Sequence, residues 1–187
     1  AFVKPATLGS SVGVSRARDG AELSSAIALA LSYDDKLLIE QAVNAREIEF
    51  AVLAAADEGG RPDVSVPGEI APADAFYSFE RKYLDAGAEL YIPAELDAAT
   101  IEKGQDAARR IFLALECEGL ARVDFFLDRQ SGELYFNEVN TLPGFTSISM
   151  YPKLWEASGL PYPRLLERLI DHAQRRHDRR SKLRRER

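Results

Sequence analysis

Two acidic side chains lie on the opposed strands of a predicted β-hairpin, where they could share a metal ion or a proton. Asp124 belongs to a predicted strand over 120–127 and Glu138 to another over 133–139. The residues between them, 128–132, favour a turn. A turn centred near Ser131 predicts opposed pairs that share one face of the hairpin. The pairs are Asp124 with Glu138, Arg122 with Asn140, and Phe126 with Phe136.

Opposed residues of a hairpin have Cβ atoms ~5 Å apart. Two carboxylates ~4 Å apart repel by about 4 kcal/mol at an effective dielectric constant near 20. A partly buried pair therefore needs a cation or a shared proton. Asp124, Glu138 and Asn140 offer the hard oxygen ligands that suit Mg²⁺. The alternative, which the pattern leaves equally open, is a structural network in which Arg122 and nearby lysines neutralise the acids.

A second candidate is the small-residue loop 5–13, which follows Lys4 at the end of a predicted strand over 2–4. Its backbone N–H groups could fold around a phosphate, with the lysine as a point charge. The loop lacks the spacing of a Walker A motif. A flexible connection between two strands is the more usual role for such a loop.

Strands and helices interleave along the chain, which favours an α/β or α+β class with a largely antiparallel sheet. The remaining predicted strands begin at Val14 and cover 37–40, 47–56 and 63–70. Helices are predicted over 20–32, 98–117, 150–158 and 163–176. Residues 71–88 show no period and predict a long loop, which in a compact domain is usually functional or disordered.

Composition and charge exclude several classes of protein. The chain has 187 residues, 46 % hydrophobic and 29 % charged, which is typical of globular domains. A single cysteine, Cys117, excludes an internal disulfide framework and a Cys-based zinc site. The two histidines, both near the basic end, argue against a transition-metal site. No apolar run approaches the ~20 residues of a membrane span.

Charge is distributed unevenly along the chain. Residues 171–187 hold eight Lys/Arg against three Asp/Glu, whereas the other 170 residues carry a net charge of −11. An acidic body is a poor candidate for binding a nucleic-acid backbone. The basic end is interpreted as a solvated, fraying helix end. The alternative is a tail that binds nucleic acid or an anionic membrane.

Five separated motifs share an order that is specific to one enzyme family. They are Phe-Val-Lys4-Pro with Gly9-Ser10-Ser11-Val-Gly13, Leu-Leu-Ile-Glu40-Gln41-Ala-Val43 with Glu47, Phe-Glu-Arg-Lys82-Tyr83, Gly-Leu-Ala-Arg122-Val-Asp124, and Asn-Glu138-Val-Asn140-Thr-Leu-Pro143-Gly144-Phe-Thr-Ser-Ile-Ser149. In this order, to about residue 170, the chain resembles the D-alanine–D-alanine ligases of the ATP-grasp superfamily.

The resemblance implies an α+β ATP-grasp fold of antiparallel sheets flanked by helices, truncated at its N-terminus. Residues 1–40 would be part of the central lobe. Residues 41–176 would form the C-terminal lobe with a lid loop and the metal-binding hairpin, and 177–187 a disordered basic tail. The chain lacks an initiator Met and is expected to be a piece of a longer protein, with little or no activity alone.

The resemblance also assigns ligands. ATP would be bound by Lys4, Glu40, Gln41, Val43, Glu47 and Lys82, with glutamine at 41 where many members have lysine. Two Mg²⁺ ions, which Mn²⁺ can replace, would be held by Asp124, Glu138 and Asn140. The catalytic residues would be Arg122, Gly144, Ser10 and Tyr83. The carboxylate of the second D-alanine would bind Ser149 and the backbone of Met150.

The implied activity joins two D-alanines through an acyl phosphate, with release of ADP and phosphate, for peptidoglycan precursors. The family suggests a cytoplasmic homodimer that binds neither nucleic acid nor membrane. D-serine as second substrate stays open, and D-lactate is less expected because the lid tyrosine is present. Another ATP-grasp carboxylate–amine ligase and a non-catalytic nucleotide-binding module are the remaining alternatives.

Overall fold

A computed structural model describes residues 1–57, 59–72, 88–146 and 148–183 of the chain. The strands are β1 (Phe2–Pro5), β2 (Ser15–Arg16), β3 (Leu37–Glu40), β4 (Ala45–Leu53), β5 (Asp63–Val64), β6 (Gly68–Pro72), β7 (Ala88–Tyr91), β8 (Leu120–Asp128) and β9 (Leu134–Asn140). The helices are α1 (Gly20–Leu31), α2 (Ala98–Ala114), α3 (Met150–Ala157) and α4 (Tyr162–Ser181). Within these ranges no helix is both long and apolar enough to cross a membrane.

The chain divides into two compact units, of which the first includes Ala1–Asn44 and the second Ala45–Ala71 and the chain from Leu90 onward. The first unit contains an antiparallel sheet in the order β2-β1-β3 and helix α1. Asp19 caps α1, because its Oδ1 accepts hydrogen bonds from the backbone N–H groups of Ala21 and Glu22, both at 2.9 Å. Val3 of the central strand packs against Ala26 and Ala30 of the helix.

The second unit contains a larger sheet in the order β7-β6-β4-β8-β9, in which β5 also pairs with β4. One face of this sheet is apolar and packs on α2, around Phe50 and Phe112. Gly104 of α2 lies so close to Phe50 that a Cβ atom there would be 2.5 Å from the ring. Side chains alternate between the two faces of the sheet along β4, so Phe50 and the residues at a spacing of two from it face this helix.

The opposite face of the sheet is apolar at one end. There Ala51 and Leu53 pack against Leu154 and Trp155 of α3 and Leu165 of α4. Further along the same face, the side chains become charged. This division places charged side chains, including the buried Glu49 and Asp124, on that part of the face.

The β8–β9 hairpin confirms part of the predicted register and corrects the rest. Arg122 pairs with Asn140 and Asp124 with Glu138, as predicted. The prediction that Phe126 pairs with Phe136 is wrong, because a bulge lies between Asp124 and Phe125 and shifts the register by one residue.

Other differences lie at the ends of elements. The predicted strand 63–70 is split into β5 and β6 around Pro67, which lacks the N–H that a continuous ladder requires. Strand β7 begins at Ala88, where the sequence predicted only loop. Helix α4 continues through 177–181, a stretch that the sequence analysis assigned to a disordered tail. Arg179 donates a hydrogen bond to Glu118 there, at 3.3 Å.

Candidate functional site

Three carboxylates form one row across the larger sheet. The register places Glu49 of β4 opposite Asp124 of β8, and Asp124 opposite Glu138 of β9. Burial falls along this carboxylate row, since Glu49 is 4 % exposed and Asp124 8 % exposed, whereas Glu138 on the outer strand is exposed. The row therefore runs from the interior of the sheet to solvent.

Arg122 is the cation that faces this row. Its Nε and Nη2 donate hydrogen bonds to the two carboxylate oxygens of Asp124, at 2.8 and 2.7 Å. Its Nε also lies 3.2 Å from Oε2 of Glu49. Burial by itself lowers the pKa of Arg122, but the hydrogen bonds to Asp124 and the charges of the carboxylate row outweigh burial and raise it. Arg122 is therefore a permanent positive charge in this site.

The predicted metal ligands share one face of the hairpin, and two of them are engaged with protein groups. Asp124 is held by Arg122, and Oδ1 of Asn140 accepts a hydrogen bond from the backbone N–H of Leu142 at 3.1 Å. Within the described ranges, no three His, Cys, Asp or Glu side chains are arranged around a common metal position. The donor chemistry, two carboxylates and an amide oxygen, nevertheless fits Mg²⁺. An ion would require Asp124 and Asn140 to exchange partners.

The small-residue loop contains a locally strained backbone. Ser10 and Ser11 both have positive φ, 56° and 59°, in the left-handed region that non-glycine residues rarely adopt. Each such residue costs of order 1–3 kcal/mol, and such strain is concentrated at functional sites. Gly13 also has positive φ, and a Cβ there would be 2.8 Å from Pro5. The loop is thus a defined structure in which the glycine is required.

Lys4, at the start of this loop, forms an ion pair with Glu40 of the neighbouring strand. Lys4 Nζ lies 2.8 Å from Glu40 Oε1. The antiparallel pairing of β1 with β3 brings these two predicted ATP ligands together. Of the other predicted ATP ligands, Gln41 and Val43 lie in the connection after β3, and Glu47 lies in β4.

The segment that leads into α3 brings Gly144 against Ser149. A Cβ atom at Gly144 would lie 2.9 Å from Oγ of Ser149. That Oγ accepts a hydrogen bond from the backbone N–H of Thr146 at 3.0 Å and makes no capping bond to its own helix. Met150, the first residue of α3, is buried. This arrangement leaves the helix N-terminus without a cap from Ser149, which suits an anionic group.

Lys82 and Tyr83 lie outside the described residues. Glu49 was missed, although its spacing of two from Glu47 in a predicted strand places both on one face. Finding Glu49 also requires the pairing of β4 with β8, which no local pattern specifies.

A model of the family described as "D-ala D-ala ligase C-terminus" matches residues 1–171. The chain belongs to this family. It is 58 % identical over 183 residues to a D-alanine--D-alanine ligase of a Methylobacterium species, a match that covers 95 % of this chain and 47 % of the relative. It is 56 % identical over 172 residues to one from Caldicellulosiruptor bescii, covering 92 % of this chain and 46 % of the relative. The chain thus spans about half the length of these relatives.

Solved structures of the ligase family have the same fold. The D-alanine-D-alanine ligase from Coxiella burnetii superposes with a TM-score of 0.83 at 40 % identity, covering 97 % of this chain and 47 % of that one. The VanG D-Ala:D-Ser ligase from Enterococcus faecalis superposes with a TM-score of 0.78 at 40 % identity, covering 90 % of this chain and 48 % of that one. These structures confirm the predicted ATP-grasp architecture of antiparallel sheets and helices.

Proposed function

We propose that the protein containing this chain is an ATP-dependent, ADP-forming D-alanine–D-alanine ligase. The observation that supports this most strongly is the arrangement of Arg122, Asp124 and Glu138 on one hairpin face, in a chain that matches the ligase family over 171 residues. Arg122 is a permanent cation beside two opposed carboxylates that could hold metal ions. Such a set suits a reaction in which the negative charge of phosphate groups must be neutralised.

ATP would be bound by side chains and backbone groups of this chain. Lys4 and Lys82 would contact the phosphates, residues 40–43 the adenine and Glu47 the ribose. The pair Lys4–Glu40 would then open, since the same Nζ cannot serve both partners equally. Ser10 would contact Tyr83, and this contact would help to exclude water from the reactive intermediate.

Mg²⁺, for which Mn²⁺ would substitute, would be held by Asp124, Glu138 and Asn140 in two sites. Bound there, the ions would neutralise charge on the β- and γ-phosphates. Arg122 and the backbone N–H of Gly144 would stabilise the oxyanion that forms on the carbonyl under attack. Ser149 and the backbone of Met150 would bind the carboxylate of the second D-alanine.

The reaction would proceed in two steps with balanced products. The carboxylate of the first D-alanine attacks the γ-phosphorus of ATP, so that the β–γ bridging bond breaks and ADP leaves with an acyl phosphate behind. The amine of the second D-alanine then attacks the acyl carbon, loses a proton and expels inorganic phosphate. Positioning of the two amino acids supplies much of the rate. The product would serve peptidoglycan precursor synthesis in the cytoplasm, and the whole enzyme would act as a homodimer.

The deciding experiment is phosphate release by the full-length protein with ATP and Mg²⁺, comparing D-alanine, D-serine and D-lactate. We expect release that depends on D-alanine and yields the dipeptide. Faster release with a D-alanine and D-serine mixture, giving a mixed dipeptide, would favour D-serine as second substrate, a relevant alternative because the chain also resembles a D-Ala:D-Ser ligase. No release with any of the three would refute the proposal.

A further inference from the structure

Glu49 is the most buried acid of the carboxylate row and has no role in the proposed reaction. It lies in the middle of the larger sheet, where its side chain is 5 % exposed. Burial of a charged carboxylate is costly unless a cation compensates it. Arg122 supplies that cation at 3.2 Å.

The contacts of Arg122 show that two acids compete for one of its hydrogens. The Nε of an arginine carries a single N–H. That N–H is directed to Oδ1 of Asp124 at 2.8 Å, while Oε2 of Glu49 lies next to the same nitrogen at 3.2 Å. Glu49 is thus an acceptor already in position for the hydrogen that Asp124 now receives.

This competition matters because Asp124 has two incompatible partners in the proposed reaction. A carboxylate that is held in a two-point hydrogen bond by an arginine is a weak metal ligand, since both oxygens are already directed at a cation. A partly buried guanidinium that lost this partner without replacement would be destabilised. Glu49 removes the conflict, because it can neutralise Arg122 when Asp124 turns away.

We propose that Glu49 is a positioning residue that accepts the Arg122 guanidinium from Asp124 when a divalent cation binds, and so holds Arg122 in place for the oxyanion. The inference rests on the proposed function, because it takes Asp124 as a metal ligand. It adds that metal affinity depends on a side chain that does not contact the metal, and that this dependence acts through Arg122.

The test measures Mn²⁺ binding to the full-length protein in the presence of ADP, from the electron paramagnetic resonance signal of the free ion. We expect Glu49→Gln to weaken Mn²⁺ binding about tenfold, the size typical of residues that support metal ligands. The matched control is Glu69→Gln. Glu69 is also buried and paired with an arginine, Arg46, but it belongs to a neighbouring row of the sheet and is expected to leave Mn²⁺ affinity unchanged.

A second pair of variants distinguishes positioning from a direct effect of the Glu49 charge on the ion. In an Arg122→Met background there is no guanidinium to compete for Asp124, so Glu49→Gln is expected to cause no further weakening. A loss that is the same in both backgrounds would overturn the inference, because it would show that Glu49 acts on the cation directly.

A structure of the unmutated protein with Mn²⁺ and ADP tests the same point without any variant. We expect Arg122 to donate to Glu49 and Asp124 to contact the ion. An intact two-point bond between Arg122 and Asp124 beside a bound ion would overturn the inference alone. Failure of the unmutated protein to bind Mn²⁺ and ADP at all would instead refute the proposed function, and this inference with it.

Discussion

Asp124 and Glu138 face each other across β8 and β9, but only Asp124 is buried. The two acids therefore make different contributions to the molecule. Asp124 is bound to Arg122 within the sheet, so replacing it would leave this partly buried cation with Glu49 as its remaining carboxylate neighbour. Glu138 lies at the exposed edge of the hairpin, so its charge can be removed without disturbing the core.

The first prediction is that Glu138→Gln lowers turnover without unfolding the protein. Loss of one carboxylate from the proposed metal set is expected to raise the barrier by about 3–4 kcal/mol, a decrease of about 10²–10³ in turnover. The free energy of unfolding should change by less than about 0.5 kcal/mol, as for most surface substitutions. Phosphate release and thermal unfolding of the full-length protein measure the two effects.

Glu133→Gln is the matched control for this variant. Glu133 is exposed next to the turn of the same hairpin and faces none of the proposed ligands. It should leave both turnover and stability unchanged. Near-normal turnover of Glu138→Gln would contradict the metal assignment, because the same charge would then be dispensable at both positions.

The hairpin also shows how far a sequence can predict a site. Alternation and turn residues were enough to pair Asp124 with Glu138 and Arg122 with Asn140, because these pairs lie on the far side of the bulge from the turn. The bulge itself left no signal in the pattern. On the turn side, Asp128 accepts hydrogen bonds from the backbone N–H groups of Gln130 and Ser131, so the turn is centred earlier than predicted.

Contacts between distant segments could not be predicted from the sequence. That Glu49 completes a row with Asp124 depends on β4 pairing with β8, and no local pattern specifies which strands are neighbours. The same limit applies to β7, whose short strand is stabilised by pairing with β6 and not by its own composition. What local periodicity determines was predicted, and what tertiary pairing determines was not.

A second prediction concerns the buried hydroxyl of Tyr151. Its Oη donates a hydrogen bond to the backbone carbonyl of Val52 at 2.9 Å, in the core between the sheet and α3. Tyr151→Phe should lower the free energy of unfolding by about 1–2 kcal/mol, because a buried carbonyl loses a donor. Tyr162→Phe is the control, since Tyr162 donates to the carbonyl of Phe145 from a position that is 39 % exposed.

Denaturant unfolding of the two variants distinguishes burial from the hydrogen bond itself. Water can replace the lost donor at Phe145, so Tyr162→Phe should change stability less than Tyr151→Phe. Equal losses would show that the buried hydroxyl contributes no more than an exposed one, contrary to the packing described here.

A third prediction uses the pH dependence of one carboxyl. Asp34 accepts hydrogen bonds from the hydroxyl of Thr7 at 2.7 Å and from its backbone N–H at 2.8 Å. These bonds, the hydroxyl first, lower the pKa of Asp34 from 3.8 to about 2. Because the folded pKa is below the unfolded value, the contribution of Asp34 to stability is present above pH 3.8 and is lost as the pH falls towards about 2.

A carbon NMR titration of labelled aspartates measures this pKa directly. Thr7→Val removes the hydroxyl donor but keeps the backbone N–H, so the pKa of Asp34 should rise part of the way to its usual value. Thr7→Ser keeps the hydroxyl and should leave the pKa near that of the unmutated protein. If the pKa of Asp34 were the same in Thr7→Val as in Thr7→Ser, the hydrogen bond from the Thr7 hydroxyl would be contradicted.

A fourth prediction compares two glycines at which substitution by alanine should change the free energy of unfolding in opposite directions. A Cβ atom at Gly104 of α2 would lie 2.5 Å from the Phe50 ring, so Gly104→Ala must displace a core side chain and should destabilise the protein by about 1–3 kcal/mol. Gly20, the first residue of α1, has no atom within 4 Å of the corresponding position. Gly20→Ala should instead stabilise the protein by about 0.4–1 kcal/mol, because alanine restricts the unfolded chain.

Urea unfolding compares the two variants with the unmutated protein. If Gly104→Ala were as stable as Gly20→Ala, α2 would not approach the sheet as closely as described, and the apolar face behind the carboxylate row would be packed differently.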